Sequence, residues 1–432
     1  MSTRHTAHAA SNAASVPAAF WPLVLLAAAV LMITMGARQS LGLFLSPLNT
    51  ATGLGIATIS LAMAVGQFMW GAVQPIAGAV ADRYGPGRVL AAGTIVLAIG
   101  YAATPYMSSG FGLMMTIGVL TAAGSGAGSF SVLIGAAAQR LPAEKRGMAA
   151  GIINAGGSFG QFLFAPLLQK LIGVFGWMGA MWSMAVISLF ALPMAWMLRK
   201  RPATAAISQS SKSANASIAE AFKPVSEDGG IKKAIRTALA DRSYLLLHAG
   251  FFTCGFHIAF LVTHLPGEVQ LCGLPPNVAG WSLAIIGLAN IVGSLLAGWG
   301  VGHYRSKYIL AAMYASRAVL IGVYLLSPKT ELTFYLFAAG LGLTWLATVP
   351  PTAGLVGKLY GTRYLSTLFG LTLLSHQVGG FFGAWLGGIA ITAQGNYDWM
   401  WYADIVLALL AALCNLPIRE APIAHARSLQ PA

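Results

Sequence analysis

The chain reads Gly78-Ala-Val-Ala-Asp-Arg-Tyr-Gly-Pro-Gly-Arg88 between two long apolar runs. Gly78 permits a neighbouring helix to approach closely, and Gly85 permits a tight turn because glycine tolerates positive φ. Asp82 carries a carboxylate that can pair with an arginine or face the N-terminus of a helix. This arrangement predicts a compact turn between two closely packed helices, against the plainer interpretation of a solvated basic loop.

The composition of the whole chain is that of a membrane protein. Of its 432 residues, 57% are hydrophobic and only 8% are charged, whereas soluble domains carry about 25% charged residues. Disordered chains have the opposite bias, with low hydrophobicity and many charges. The three cysteines, Cys254, Cys272 and Cys414, are far apart and form no metal or redox motif. We therefore predict a protein with many membrane spans and with no bound metal or cofactor.

Apolar stretches long enough to cross a bilayer recur along the chain. A hydrocarbon core of about 30 Å needs roughly 20 apolar residues in helix, and helices satisfy every backbone polar group within lipid. We predict an all-α membrane protein with twelve transmembrane helices in two pseudo-symmetric six-helix bundles. The predicted spans, numbered span 1 to span 12, are 20–46, 57–81, 89–108, 111–139, 147–173, 177–198, 244–266, 278–302, 308–327, 332–357, 364–393 and 398–417. The predicted divisions are a tail at 1–19, a bundle at 20–198, a polar linker at 199–243, a bundle at 244–417 and a tail at 418–432.

The basic residues indicate how these spans are oriented. If span 1 starts on the cytoplasmic side, Lys329 is the one basic residue in an outer loop and Lys170 lies near an outer helix end, while Arg38 and Arg317 lie within spans. The remaining 21 of the 25 Lys and Arg residues then lie on the cytoplasmic side, which is the positive-inside pattern. This predicts that both termini lie in the cytoplasm, and we expect a bacterial inner membrane as the location. Because the charge is spread over several short loops, it does not favour binding of nucleic acid.

The two halves of the chain contain an internal repeat. Glycine and proline positions recur between them at a nearly constant offset, as expected for two parallel six-helix repeats with a binding site at their interface. Matching pairs, 219 to 222 positions apart, are Gly36 and Gly255, Pro47 and Pro266, Gly78 and Gly298, Gly118 and Gly340, Gly151 and Gly370, and Gly160 and Gly379.

Residues 78–88 resemble the cytoplasmic loop signature of the major facilitator superfamily, G-x-x-x-D-R-x-G-x-x-R. The resemblance extends over the chain, because the twelve spans, the six-plus-six division and the central linker are those of the major facilitator fold. It implies a gating motif that holds the two halves together in one state and releases them in another. The motif residues are Gly78, Asp82, Arg83, Gly85 and Arg88. In the second half the motif is degraded, since Gly302 and His303 stand in place of the Asp-Arg pair.

Within that superfamily the chain looks most like the bacterial branch related to monocarboxylate porters and oxalate/formate exchangers. The cues are the span 5 run Gly151-Ile-Ile-Asn-Ala-Gly-Gly-Ser-Phe-Gly-Gln161, the Gly176-Trp177 pair that follows it and a basic residue in the outer half of span 1. Two departures matter. Span 8 holds no Arg or Asp, and His376 stands in span 11 where the exchanger has a lysine. We therefore do not expect a dicarboxylate held by two fixed cations.

Arg38 is the first candidate for binding a substrate. An ionisable group within the hydrocarbon is costly and indicates function by default, and arginine stays charged and can bind a carboxylate through two hydrogen bonds. The resemblance places span 1 along the central cavity, and Gln161 and Trp345 are further candidates for contact with the substrate. The plainer interpretation is that Arg38 reaches out to the lipid headgroups.

Two histidines within spans are candidates for proton coupling and substrate contact. His257 is the repeat mate of Arg38 in span 7, and His376 lies in span 11. Histidine is the side chain whose charge changes near physiological pH. If Arg38 and His257 face each other across the pseudo-twofold axis, they form a site for one anion and one proton. The alternative is that each histidine is a hydrogen-bonded packing residue, His376 through its neighbour Gln377.

Three further features lie within the predicted spans. We expect Arg317 of span 9 and Asp404 of span 12 to form a structural ion pair, with a proton-relay role for Asp404 as the alternative. Pro350 and Pro351 must interrupt the hydrogen bonds of span 10, and such breaks often mark transport sites, although packing alone can require one. Trp345 lies just before the break, where its ring can stack against a substrate.

These observations predict a secondary transporter that works by alternating access, without enzymatic chemistry, because no catalytic motif or carboxylate pair lies within the spans. We expect proton-coupled transport of a small organic monocarboxylate by a monomer whose partners are an organic anion, protons and the lipid bilayer. An exporter of hydrophobic or amphipathic compounds is the alternative, favoured by the apolar, aromatic spans. A non-transporting membrane receptor is a third, which the short tails and linker make less attractive.

Overall fold

The computed structural model of the chain describes residues 20–138, 140, 143–198, 230–360 and 365–420. Within these ranges the chain is helical and no strand is present. The predicted tail at 1–19, most of the predicted linker and the side chains of Asp82 and Arg83 lie outside the described residues. The α-helices are Phe20–Gln39, Leu45–Thr52, Ile56–Tyr84, Pro86–Ala103, Gly110–Leu113, Ala122–Ala127, Phe130–Ala138, Ala143–Leu189, Ala191–Met197, Gly230–Ala240, Arg242–Leu271, Pro276–His303, Ser306–Leu326, Glu331–Thr344, Val349–Tyr360, Leu365–Gln394 and Asp398–Asn415.

Short non-α segments join some of these helices into longer crossings. A 3₁₀ turn at Leu41–Phe44 continues the first helix into the second, and another at Thr104–Tyr106 ends the crossing that begins at Pro86. A π-helical segment, Met114–Thr121, connects two α-helical pieces of the fourth crossing. Such segments widen or tighten a helix locally and occur often at functional sites.

The described helices account for the twelve predicted crossings. Ten stretches are long and apolar enough to span a membrane. One of them, Gly151–Met197, has 47 residues, which as helix is about 70 Å and therefore more than twice the hydrocarbon thickness. It contains a non-helical residue, Gly176, with φ 69°, so it comprises two crossings. The 30-residue helix Leu365–Gln394 packs along the helices Arg242–Leu271 and Ile56–Tyr84 and supplies the twelfth.

The span numbers of the sequence analysis therefore apply to the structure with its observed bounds. Because the number of crossings is even, Phe20 and Glu420 lie at the same end of the bundles, which we call the terminal face, and the other end is the opposite face. Spans 1 to 12 are Phe20–Thr52, Ile56–Tyr84, Pro86–Tyr106, 110–138, 143–175, 177–197, Arg242–Leu271, Pro276–His303, Ser306–Leu326, Glu331–Tyr360, Leu365–Gln394 and Asp398–Asn415.

Repeat-related glycines make equivalent contacts in the two halves. A Cβ atom on Gly36 of span 1 would lie 2.6 Å from the carbonyl carbon of Gly160 in span 5. Their repeat mates, Gly255 of span 7 and Gly379 of span 11, each face backbone atoms of the other helix just as closely. Only glycine permits this approach, because any side chain would overlap the facing backbone. The repeat inferred from sequence offsets therefore corresponds to a repeated packing of helices.

The two halves meet most extensively along two pairs of spans, span 2 with span 11 and span 5 with span 8, and the end of span 1 also packs against span 7. Midway along the second pair, Asn290 donates a 2.8 Å hydrogen bond to the hydroxyl of Ser158. Toward the opposite face, a Cβ on Gly280 would lie 3.1 Å from the Cβ of Gln169. Contacts between the described residues of the halves thus extend from the middle of the bundles to the opposite face.

The glycines of the same four spans near the terminal face make no such contact. No described atom of another helix lies within 4 Å of the Cβ position of Gly78, Gly151, Gly298 or Gly370. The expected close helix contact at Gly78 is therefore not made in this structure. Gly85 has φ 91° and ends span 2, as a tight glycine turn requires, and Arg88 is exposed. At these four positions the described helices therefore do not pack closely near the terminal face.

At the terminal face of the second half, Glu420 takes the place of the missing motif acid. Its carboxylate accepts hydrogen bonds from the backbone N–H groups of Ser306 and Lys307, each 3.0 Å long, at the start of span 9. It also pairs with Lys358 at 2.7 Å, at the end of span 10. Burial would raise the pKa of Glu420, but the bonds from Lys358 and from the two backbone N–H groups hold it below its ordinary value.

Candidate substrate and proton sites

Arg38 lies where the helix of span 1 gives way to its 3₁₀ turn, and its side chain points into the first half. Its Nη2 donates to the Oε1 of Gln67 in span 2, and its Cζ lies 4.3 Å from the ring centroid of Trp70. These contacts are inside the bundle, so Arg38 does not extend to the lipid headgroups in this structure. A guanidinium over an aromatic face gains a cation–π attraction.

Arg38 borders a cavity of about 20 Å³, which is enough for roughly one water molecule. The lining comes from spans 1, 2 and 4 and from span 7 of the other half, so the cavity lies between the halves. Its residues are Arg38, Leu41, Gly42, Met63, Gly66, Gln67, Ile117, Thr121, Ala122, Ser125, Val262 and Thr263. Arg38 supplies the charge of this largely apolar lining.

The guanidinium of Arg38 has no counter-ion among the described residues. No Asp or Glu oxygen of the described chain lies within 4.0 Å of its nitrogens. Its five N–H donors have the single amide oxygen of Gln67 as acceptor. The hydroxyl of Tyr101, which interacts electrostatically with Arg38, and the indole N–H of Trp70 are also buried without a hydrogen-bond partner. Among the described residues, the guanidinium of Arg38 therefore keeps unused hydrogen-bond donors.

Gln67, Trp70 and Tyr101 were missed by sequence reasoning. A signal for the first two was present, because Gln67 is a polar amide in an apolar span and Trp70 follows it by three residues, on the same face of the helix. Gln161, which was predicted to contact substrate, is fully buried and accepts a 3.2 Å hydrogen bond from Gln39 of span 1. It does not line the cavity, and its substrate role stays a prediction.

His257 points away from Arg38, into the second half. Its Nδ1 contacts Oδ2 of Asp404 in span 12, and both side chains are at most 1% exposed. The expected arrangement of Arg38 and His257 across the pseudo-twofold axis is wrong for this structure, since the structure pairs His257 with Asp404 instead. His257 Nε2 and Asp404 Oδ1 have no partner among the described residues. An imidazole–carboxylate pair in this environment can hold a proton out of reach of bulk water.

Arg317 does not form the expected ion pair with Asp404. Its Nη2 donates to the carbonyl oxygens of Thr344 and Trp345, the latter at 2.8 Å, and its Nη1 lies 3.3 Å from Sγ of Cys254. These carbonyls lie at the interruption of span 10, and Arg317 is their N–H donor from another helix, beside a weak 3.9 Å contact from the Cys254 thiol to the Trp345 carbonyl. The arginine therefore caps a broken helix, while its charge still acts on Asp404 through space.

The interruption of span 10 runs from Trp345 to Thr348, between the helices Glu331–Thr344 and Val349–Tyr360. It precedes Pro350 and Pro351, which lack the N–H groups that would bond to the preceding turn. Trp345 is fully buried, and its ring centroid lies 6.1 Å from that of His257. In this conformation Trp345 therefore packs on the histidine and not along the cavity that Arg38 borders.

His376 of span 11 is buried, with its Nδ1 3.1 Å from the side-chain amide of Gln377. Its ring lies 4.9 Å from that of Phe251 in span 7. It also interacts with Cys254, one helical turn before His257. His376 thus lies beside the His257 cluster but is not paired with a carboxylate in the described chain, and its role in substrate or proton binding stays a prediction.

The fold agrees with comparisons to known proteins. The family model of the Major Facilitator Superfamily matches residues 27–384 and 272–431. The chain belongs to this superfamily. It is a multi-pass membrane transporter and not an enzyme, as the sequence predicted.

Named relatives extend the resemblance to particular transporters. The chain is 27% identical over 389 residues to monocarboxylate transporter 13 of Rattus norvegicus, covering 87% of this chain and 83% of that protein. It is 22% identical to the oxalate:formate antiporter of Oxalobacter formigenes, covering 88% and 86%. The crystal structure of a D-xylose-proton symporter superposes with a TM-score of 0.71 at 14% identity, covering 92% of this chain and 97% of that one, which shows the shared fold. The predicted resemblance to monocarboxylate and oxalate/formate transporters is confirmed.

Proposed function

We propose that this protein is a proton-coupled transporter of a small organic monocarboxylate that works by alternating access. Arg38 borders the cavity between the halves, and this position supports the binding of an anion in that cavity. The monocarboxylate and oxalate:formate relatives support the carboxylate class. We place the protein as a monomer in a bacterial inner membrane with both termini in the cytoplasm, on the basis of the positive-inside distribution of its basic residues.

The single observation that carries the proposal is the uncompensated charge of Arg38. Neutral donors accompany it, and no carboxylate of the described chain neutralises it. A substrate carboxylate would supply the missing acceptors through two charge-assisted hydrogen bonds. Because one cation lines the cavity, one carboxylate is the charge that the described lining can balance. The largely aliphatic remainder of the lining suits a short hydrocarbon chain.

Alternating access follows from the arrangement of the halves. The bundles at 20–198 and 244–417, joined by the linker at 199–243, would rock about the contacts of spans 2, 5, 8 and 11. In the present conformation these contacts extend toward the opposite face, so the reverse conformation would close the terminal face. The gating motif around Gly85 lies at the terminal face and would make its contacts there.

Matched pairs of small molecules test the proposal. Thermal unfolding of the purified protein in detergent is followed with lactate, pyruvate, butyrate and benzoate, and with the uncharged amides of the same acids. We expect at least one carboxylate to raise the unfolding temperature while its amide does not, since ligand binding stabilises the folded state. Uptake of that carboxylate into proteoliposomes should rise when the lumen is made alkaline relative to the medium.

Variants of Arg38 connect this result to the site. Arg38→Ala should weaken the stabilising carboxylate at least about 100-fold, because losing a charge-assisted pair costs about 3 kcal/mol. Arg38→Lys should retain part of the affinity, because lysine keeps the charge but not the planar fork. Lys170→Ala, an exposed lysine on span 5, is the control and should behave as wild type. Stabilisation by neutral amphipathic compounds alone would overturn the proposal in favour of an exporter.

A further inference from the structure

We propose that the His257–Asp404 pair is the proton-binding site of this transporter and that its charge acts on the two halves through the interruption of span 10. The inference rests on the proposed proton coupling and separates the proton from the anion. The anion site lies between the halves, beside Arg38 of the first half, whereas this pair lies within the second half. Nothing in the geometry requires the two ligands to touch.

The pair is surrounded by groups that make its charge matter. Asp404 faces His257 from span 12, and Cys254 lies one turn before His257 on span 7. Arg317 acts on Asp404 from span 9. The remaining titratable neighbours are Tyr314 of span 9 and His376 of span 11, both of which interact with Cys254. When His257 is neutral, the negative charge of Asp404 offsets the positive charge of Arg317. One added proton bonds to Nε2 of His257, which has no partner within the described part of the chain, and leaves this buried cluster with a net charge of +1.

Trp345 responds to that change because it contacts both His257 and Arg317. Its ring lies 6.1 Å from the ring of His257, and an imidazolium is attracted to an aromatic face more strongly than a neutral imidazole is. Its backbone carbonyl accepts the 2.8 Å hydrogen bond from Arg317, whose charge repels an imidazolium. Protonation of His257 therefore changes the interaction energy of Trp345, the residue at which span 10 is interrupted. A shift between two conformations requires such a difference in interaction energy.

The next residue of the interruption is connected to the other half. The backbone N–H of Leu346 donates to Oδ1 of Asn290 in span 8, at 2.9 Å. The amide of Asn290 in turn donates to the hydroxyl of Ser158 in span 5, at 2.8 Å. Asn290 is fully buried. Through these two hydrogen bonds it connects the interruption of span 10 to the contact between the halves. A shift of Trp345 and Leu346 reaches Ser158 through two hydrogen bonds.

A distance measurement between the halves tests this inference without any substrate. Spin labels are attached at Gly78→Cys and Gly298→Cys, the repeat mates at the terminal face whose Cβ positions are open in the described chain. Cys272→Ser and Cys414→Ser remove the less buried native thiols. We expect the label-to-label distance to differ by several ångströms between samples at about pH 8 and at about pH 5.5.

The decisive variants are Asp404→Asn and His257→Gln, which keep the side-chain volume and should abolish the pH-dependent shift. Asn290→Ala should also abolish it while leaving the pair itself in place. The control is His264→Gln, because His264 lies on the same span and is equally buried but bonds to the carbonyl of Ala384 at 2.7 Å; it should keep the shift. Elution as a single monodisperse species identifies variants that fold. An undiminished shift in a folded Asp404→Asn variant would overturn the inference.

Transport separates this inference from the proposed function. Asp404→Asn should still exchange the identified carboxylate between equal pH values but should lose its accumulation under a pH gradient. Arg38→Ala should lose both. If carboxylates bind and Asp404→Asn still accumulates them under a pH gradient, the assignment of the proton site is wrong while the proposed function stands. If no carboxylate binds, the proposed function fails, and the distance measurement still decides whether this pair controls the conformation.

Discussion

The two arginines within the spans show how differently the two halves use a buried charge. Arg317 of the second half is 1% exposed, and its donors end on the Thr344 and Trp345 carbonyls and on Cys254. Arg38 of the first half borders a cavity and has the amide oxygen of Gln67 as acceptor. A cation whose donors are occupied by the protein stabilises the fold, whereas one whose donors are in excess keeps the capacity to bind an anion. The position of a charge within the hydrocarbon therefore shows that the charge is unusual, but it does not show which role the charge has.

Removal of Arg317 should have the largest effect on stability. Arg317→Ala removes the guanidinium donors of two buried carbonyl groups of span 10, which costs about 3–5 kcal/mol. We expect a severe loss of folded protein on purification and a markedly lower unfolding temperature in detergent. Arg317→Lys should recover part of the loss by donating to one carbonyl. A folded Arg317→Ala variant with wild-type stability would contradict the capping role.

The matching variant in the first half should behave in the opposite way. Arg38→Leu removes a desolvated charge that no described carboxylate neutralises, so the free energy of unfolding should stay the same or rise by up to about 1 kcal/mol although transport is lost. The measurement is thermal unfolding in detergent beside a transport assay of the same preparation. A destabilisation comparable to that of Arg317→Ala would show that Arg38 also has a structural purpose and would remove the contrast between the halves.

The smallest effect is expected at the terminal face. Glu420→Gln weakens the pair with Lys358 and the bonds to the start of span 9, and should lower stability by about 1 kcal/mol at neutral pH. Because the folded-state pKa of Glu420 lies below its ordinary value of about 4.5, this contribution is complete above that pH and is lost as the pH falls through the folded-state value. The difference between wild type and variant should thus narrow below about pH 4.5. A constant difference down to pH 3 would contradict this account.

Sequence reasoning predicted the architecture well because two strong constraints act in a membrane. Every backbone polar group must be bonded within the helix, so apolar runs indicated the crossings, including the separate spans on either side of Gly176. Close helix packing requires glycine where backbones touch, so the offsets of Gly36, Gly160, Gly255 and Gly379 anticipated a real repeated contact.

The partners of the buried polar groups were less predictable. The sequence singled out Arg38, His257, Arg317 and Asp404, but it paired Arg317 with Asp404, whereas the structure pairs Asp404 with His257. Trp345 was expected to face substrate, yet it packs on His257. The reason is geometric: these spans are apolar on nearly every face, so no polar stripe indicates how each helix is rotated about its axis.

The sequence by itself therefore determined the membrane class, the number and order of the spans, the repeat and the membership of the superfamily, because each follows from local hydropathy, glycine placement or a short motif. Only the tertiary structure decided which buried groups meet. It left Arg38 with donors to spare, set Arg317 on the interruption of span 10 and placed Asn290 between that interruption and Ser158. These contacts depend on the rotation and tilt of whole helices, which arise from packing among all twelve spans and are not written in any one of them.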